Sequence, residues 1–179
     1  MSFIDNIKAR AKSDKKTIVL PETSDMRTLK AAHQVLAEGI ANVVLIGNEA
    51  KIKETAEGLD LSGAKIVDPE SFEEMDAYIA KLVELRAKKG MTTEKATELL
   101  KGDGLFLGVM MVKQGMADGM VAGAIHATAD VLRPCLQILK TAPNTKLVSA
   151  FFVMVVPNCE YGANGTFIFS DAGLNQNPN

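Results

Sequence analysis

Four polar side chains capable of chemistry crowd into eight positions of one segment, Asp118-Gly-Met-Val-Ala-Gly-Ala-Ile-His126-Ala-Thr128-Ala-Asp130-Val-Leu-Arg133-Pro134. The small apolar run Gly119 to Ile125 reads as a buried strand, and an apolar-periodic helix follows it to Lys140. In open α/β sheets ligands collect where strands hand over to helices, because free N–H groups gather there. A hydroxyl, a carboxylate and a guanidinium at that junction suit a phosphate-bearing ligand, since arginine offers a fork of donors that matches phosphate oxygens.

Each of these residues also has a plain structural reading. Arg133 near a helix start opposes the helix dipole unless an anion shares the place, and an ion pair with Asp130 is the ordinary alternative. Pro134 in a helix interior removes a hydrogen bond. The regular helix is therefore expected to begin close to Arg133, with His126 to Leu132 as a tight loop. His126 is a general base, a phosphate donor, or a ring bonded to a backbone carbonyl. The last is favoured, because no orienting carboxylate is identifiable beside it. Capping suffices to explain Thr128 and Asp130. Arg86, in Leu85-Arg86-Ala-Lys-Lys-Gly90, reads as part of a basic last turn.

Strands expected at Lys16–Leu20, Asn42–Ile46 and Ala64–Val67 alternate with helices, the pattern of βαβ units and a parallel sheet. Helices are expected after Ser24-Asp25, near Ala50–Ala56, after the Ser71-x-x-Glu74 capping box, from Thr92 to Leu100, and from Leu105 to Gln114. A short amphipathic helix is expected over residues 1–12. Gly102-x-Gly104-x-x-x-Gly108 follows a helix rather than a strand, so it is not a dinucleotide fingerprint. Met110, Met111, Met116 and Met120 read as core fillers. From Leu147 the texture changes. Leu147–Val155 and Thr166–Ser170 read as an antiparallel pair opening a second domain (residues 147–179) after a first α/β domain (1–146). Asn175-Gln-Asn-Pro178-Asn179 looks like a helix entry with nothing after it, so the chain reads as the N-terminal part of something longer.

The 179 residues carry a net charge of −2, with 47% hydrophobic and 23% charged side chains. That balance describes a globular protein without the basic field that nucleic acid or an anionic membrane requires. Two cysteines, Cys135 and Cys159, and two histidines, His33 and His126, make neither a disulfide framework nor a zinc site. The N-terminus lacks a signal-peptide core, and the Leu105–Val112 stretch stops at Lys113, too short to span a bilayer. A cytoplasmic, reducing location is the expectation.

The 118–134 segment closely resembles the signature of phosphate acetyltransferases. The resemblance extends to Leu20-Pro21-Glu22 with Asp25 and Arg27, and to Leu85-Arg86 with Lys89-Gly90-Met91-Thr92. It also takes in Gly108-Val-Met-Met-Val-Lys113 and Tyr161-Gly-Ala-Asn-Gly-Thr-Phe, so it covers nearly the whole chain in order. Phosphate butyryltransferases share much of the pattern. The resemblance implies a three-layer α/β/α fold like that of isocitrate and isopropylmalate dehydrogenases. It implies reversible acetyl transfer between phosphate and coenzyme A, with coenzyme A as a substrate, no bound cofactor, no metal, and a homodimer when complete. It puts Arg133 at the phosphate and acyl site as the catalytic arginine, with Arg86, Thr128 and His126 as substrate-binding residues. The family's Ser-Arg pair and aspartate base are expected beyond residue 179; Asp171 and Cys159 match no catalytic position. A non-catalytic phosphate-binding or dimerisation module and a dehydrogenase of similar architecture are the alternatives from other classes.

Overall fold

The computed structural model of the chain describes residues 3–171 and 173. The expected helix entry at residues 175–179 lies outside them. The chain forms two compact units, Ala9–Lys140 and, separately, the first eight residues with 141–179.

The larger unit is built on a four-stranded parallel sheet. Strands β1 (Thr17–Leu20), β2 (Asn42–Ile46), β3 (Lys65–Val67) and β4 (Gly119–Met120) lie in the order β3-β2-β1-β4. Registers run Ile18 to Val43, Val44 to Lys65 and Ile18 to Gly119. Alternate residues of a strand face opposite sides. In β2, Val43 and Leu45 pack with Leu29 and Ala32 of α2 (Met26–Glu38) and Ile52 of α3 (Glu49–Ala56). Val44 and Ile46 face the other cluster, with Tyr78 and Leu82 of α4 (Met75–Arg86), Leu100 of α5 (Thr93–Gly102), and Leu107, Met110 and Met111 of α6 (Gly104–Gln114). The result is the expected three-layer arrangement, a parallel sheet covered on both faces. Met116 and Met120 pack against this second cluster as core fillers, as their spacing suggests.

Helix α6 carries seven consecutive buried residues, Leu105 to Met111, so that stretch has no solvent face, and Lys113 and Gln114 of its last turn are exposed. Its glycines are what the close approach requires. A Cβ on Gly104 would stand 3.2 Å from the Pro21 carbonyl oxygen. One on Gly108 would meet Met120 Sδ at 2.7 Å and Val19 Cγ1 at 3.2 Å. The Gly-x-x-x-Gly spacing thus seats a helix on β1, one turn apart. Asp103 caps it, accepting from Leu105 N at 2.8 Å.

Three local expectations are corrected. The strand expected over Gly119–Ile125 leaves the sheet after Met120, although Val121 N still donates to Val19 O. Its next amides turn to a side-chain carboxylate instead. The helix after it starts at Thr128, not near Arg133: α7 (Thr128–Pro134) contains Pro134. The lost N–H is absorbed by a wider π turn over Cys135–Leu139, closed by Lys140 N on Cys135 O at 3.0 Å. The Ser71-x-x-Glu74 capping box does not form. Asp68 takes Glu70 N and Ser71 N into a turn, and α4 starts at Met75 without a side-chain cap. The amphipathic helix at the start is α1 (Phe3–Ser13).

In the smaller unit, β5 (Phe151–Val155) and β6 (Thr166–Ser170) pair antiparallel, Val153 opposite Ile168.

Candidate functional site

The sheet order reverses direction at β1, whose neighbours β2 and β4 lead to opposite sides. A crevice beyond the carboxyl ends of β1 and β4 is where such a fold binds ligands. The loops after these two strands meet there on one residue, Glu22. Its side chain is 2% exposed. Oε2 accepts Gly123 N at 2.8 Å and Ala124 N at 2.7 Å, and Oε1 accepts Ile125 N and His126 N at 3.1 Å and His126 Nδ1 at 2.7 Å. Burial pushes the Glu22 carboxyl up. The Ala124 amide, the His126 ring, and the Ile125 and His126 amides outweigh burial and hold it at about 2. The carboxylate is ionised.

A second clamp closes the same loop from outside. Asp25 caps α2 by accepting Arg27 N at 2.7 Å and pairs with Arg27 Nη2 at 2.7 Å, and that Nη2 also donates to the Ala124 carbonyl at 2.7 Å. The Arg27 side chain and backbone N–H bring the Asp25 carboxyl to about 2. Thr23 Oγ1 donates to Ile46 O at 2.7 Å and seats the first loop on the end of β2. Residues 22–27 and 121–126 therefore form one cross-bonded platform, beside a cavity of about 250 Å³ lined by Leu20, Glu22, Arg27, Thr28, Val121 and Ala124. A larger cavity, about 400 Å³, lies between α3 and the β3 edge and holds none of the expected site residues.

The expected site residues fall around this platform as follows. His126 is half-exposed and bonded to a carboxylate, which corrects the expectation that it lacks one. Thr128 is exposed and opens α7, but the N-cap is Ala127 and no side chain caps the helix, so neither Thr128 nor Asp130 is a cap. Arg133 is exposed and pairs with Asp130 Oδ1 at 3.1 Å through Nη2, the ordinary alternative foreseen for it. Arg86 ends α4, with its Nε buried and without a hydrogen-bond partner among the described residues. Helix α4 packs on the π turn that follows α7. Among the described residues no hydrogen bond or ion pair joins Arg86, His126, Thr128 and Arg133 to one another. Four donors at the strand-to-helix junction are already taken by Glu22.

Glu22 itself was named in the sequence only as part of Leu20-Pro21-Glu22. Its one local signal is an acidic residue directly after the proline that ends a buried strand. Its partners lie more than a hundred residues away.

Among the described residues no group of three or more His, Cys, Asp and Glu is placed to hold a metal ion, and no helix is long and apolar enough to cross a membrane. Both cysteines are free thiols.

The profile of the phosphate acetyl/butaryl transferase family matches residues 2–179. The chain is 61% identical to the phosphate acetyltransferase of Acetivibrio thermocellus over 99% of its own length and 53% of that protein's. It is 58% identical to the phosphate acetyltransferase of Thermoanaerobacterium thermosaccharolyticum over 100% and 54%, so it spans about half the length of the curated relatives it matches. Among solved structures, the EutD phosphotransacetylase from Staphylococcus aureus superposes with a TM-score of 0.85 at 34% identity, over 96% of this chain and 50% of that one. A phosphotransacetylase from Streptococcus pyogenes gives 0.86 at 33% identity, over 96% and 52%.

Proposed function

Because this chain belongs to the phosphate acetyl/butaryl transferase family, we propose that the protein carrying it moves an acetyl group reversibly between phosphate and coenzyme A. The observation that carries this reading is the 61% identity to a phosphate acetyltransferase over almost all of the chain. Acetyl is preferred to butyryl as the acyl group because the relatives named above are acetyltransferases.

In this reaction the thiolate of coenzyme A attacks the carbonyl carbon of acetyl phosphate. The C–S bond forms, the C–O bond to phosphorus breaks, and phosphate departs with the electron pair. The departing anion is stabilised by directional positive charge. Arg133 is the residue assigned that task. Among the described residues its exposed guanidinium is tied only at Nη2, by a carboxylate that an incoming phosphate can replace. Arg86, with a buried Nε that no group among the described residues satisfies, is assigned to substrate binding. Thr128, exposed at the start of α7, is assigned as a donor to the phosphate, and His126 as a further contact. Coenzyme A and acetyl phosphate are substrates, and no bound cofactor or metal is invoked. Domains at 1–146 and 147–179, a homodimeric enzyme and a cytoplasmic location belong to the same reading.

The experiment is direct. Acetyl phosphate and coenzyme A are mixed with the protein that carries this chain, and thioester formation is followed in the ultraviolet. Thioester accumulating with loss of free thiol supports the reading. Thiol persisting under conditions where acetyl phosphate is intact contradicts it.

A further inference from the structure

His126 has two ring nitrogens, and the structure commits one of them. Nδ1 lies 2.7 Å from Glu22 Oε1, a buried carboxylate oxygen that also accepts two backbone amides. An ionised carboxylate has no hydrogen to give, so the hydrogen of this bond resides on Nδ1. In the neutral ring Nε2 is then a bare lone pair. Among the described residues it meets no protein donor. Of the other groups assigned to the anion, the guanidinium groups of Arg133 and Arg86 only donate, and the Thr128 hydroxyl is assigned as a donor. The charged neighbours of the pair are Arg27, bonded to the Ala124 carbonyl in the same loop, and Asp25, which holds Arg27.

A site made only of donors does not tell hydrogen phosphate from sulfate, which matches it in shape and charge. The two differ in one hydrogen, because hydrogen phosphate retains a P–OH and sulfate does not. Recognising that hydrogen requires an acceptor, and an acceptor facing sulfate meets only another lone pair.

We propose that Glu22 is a positioning residue that fixes the proton of His126 on Nδ1, so that Nε2 accepts the P–OH of hydrogen phosphate and selects against sulfate. The inference rests on the phosphate-transfer reading above and adds to it the means by which the oxyanion is chosen. Glu22 touches no substrate. It acts through the imidazole and through the four amides that hold the His126 loop in place.

The test is long-range proton–nitrogen NMR on protein labelled at histidine nitrogen, at a pH where imidazoles are neutral. The expected spectrum of His126 has a protonated Nδ1 and an unprotonated Nε2. His33, whose Nδ1 meets the Asp60 carbonyl oxygen at 2.9 Å, shows the same tautomer for an unrelated reason and serves as the internal control. Inorganic phosphate should shift His126 Nε2, and sulfate at the same concentration should leave it in place. Glu22→Gln should redistribute the His126 tautomer, leave His33 unchanged, and lower the preference for phosphate over sulfate about tenfold, the loss expected for one charge-assisted hydrogen bond. The unsubstituted protein alone decides the tautomer, so a poorly folded variant does not rescue the proposal. A hydrogen found on Nε2, or an equal response to both anions, overturns it. If Arg133→Ala weakens phosphate binding while Nε2 ignores phosphate, this inference fails and the phosphate-transfer reading stands. If neither anion binds and Arg133→Ala changes nothing, both fail.

Discussion

Glu22 and His126 stand 104 positions apart in the chain and 2.7 Å apart in the fold, joined through Oε1 and Nδ1. The contact exists because β1 and β4 are neighbours in the sheet while far apart in sequence, so the loops that follow them share one crevice. Around it the backbone of residues 123–126 wraps an internal anion, four of its amides donating to the Glu22 carboxylate.

The first consequence is a dependence of stability on acidity. The Glu22 carboxyl titrates at about 2 in the folded chain against an ordinary 4.5. A depressed carboxylate contributes stability that is fully present above the ordinary value and is lost as pH falls through the folded one. The window is therefore pH 4.5 down to 2, and the gap corresponds to about 3 kcal/mol. Urea unfolding across that range should show the loss, and Glu22→Gln should flatten it. An equally steep acid dependence in Glu22→Gln places the sensitive group elsewhere.

The seat of α6 gives the second. Gly108→Val builds side-chain carbons into the space held by Met120 Sδ and Val19 Cγ1. Overpacking of this kind costs about 2 kcal/mol. Chemical denaturation should read it as a lower midpoint. An unchanged midpoint means the helix can lift off β1 freely, contrary to the packing described.

The Arg133–Asp130 pair is exposed on both sides, with side-chain exposures of 58% and 44%. Such pairs contribute little to stability, below about 1 kcal/mol. Asp130→Ala should leave the unfolding midpoint within error and reduce turnover far less than removal of Arg133. A large loss of stability would show that the pair holds α7 together rather than standing ready for an anion.

Arg86 presents a buried Nε with no hydrogen-bond partner among the described residues. Under the binding role assigned to it, Arg86→Ala should raise KM for acetyl phosphate or coenzyme A more than it lowers kcat. Unchanged KM values for both substrates remove Arg86 from the site.

The layers and most of the elements were legible because they follow from local patterns. The unbroken apolar run Val43–Ile46 and the helical spacing at Phe72–Val83 are each written within a few residues. What was not legible depended on partners distant in sequence. Gly119–Ile125 has a strand's composition, yet it leaves the sheet after Met120 because Glu22 claims the amides of Gly123 to His126. Pro134 correctly announced an irregular helix but not its side: the break came after the proline, as the π turn over Cys135–Leu139. His126 was readable as a histidine with chemistry to offer. Its carboxylate partner was not, since no rule of spacing links positions 22 and 126.

The central claim is that Arg133 stabilises the departing phosphate in acetyl transfer to coenzyme A. The most direct measurement is kcat/KM for thioester formation by the protein that carries this chain, compared with its Arg133→Ala variant, with folding of both checked by circular dichroism. The account predicts a fall of about a hundredfold or more, roughly 3 kcal/mol of transition-state stabilisation. A folded Arg133→Ala variant that turns over at the unsubstituted rate would contradict it.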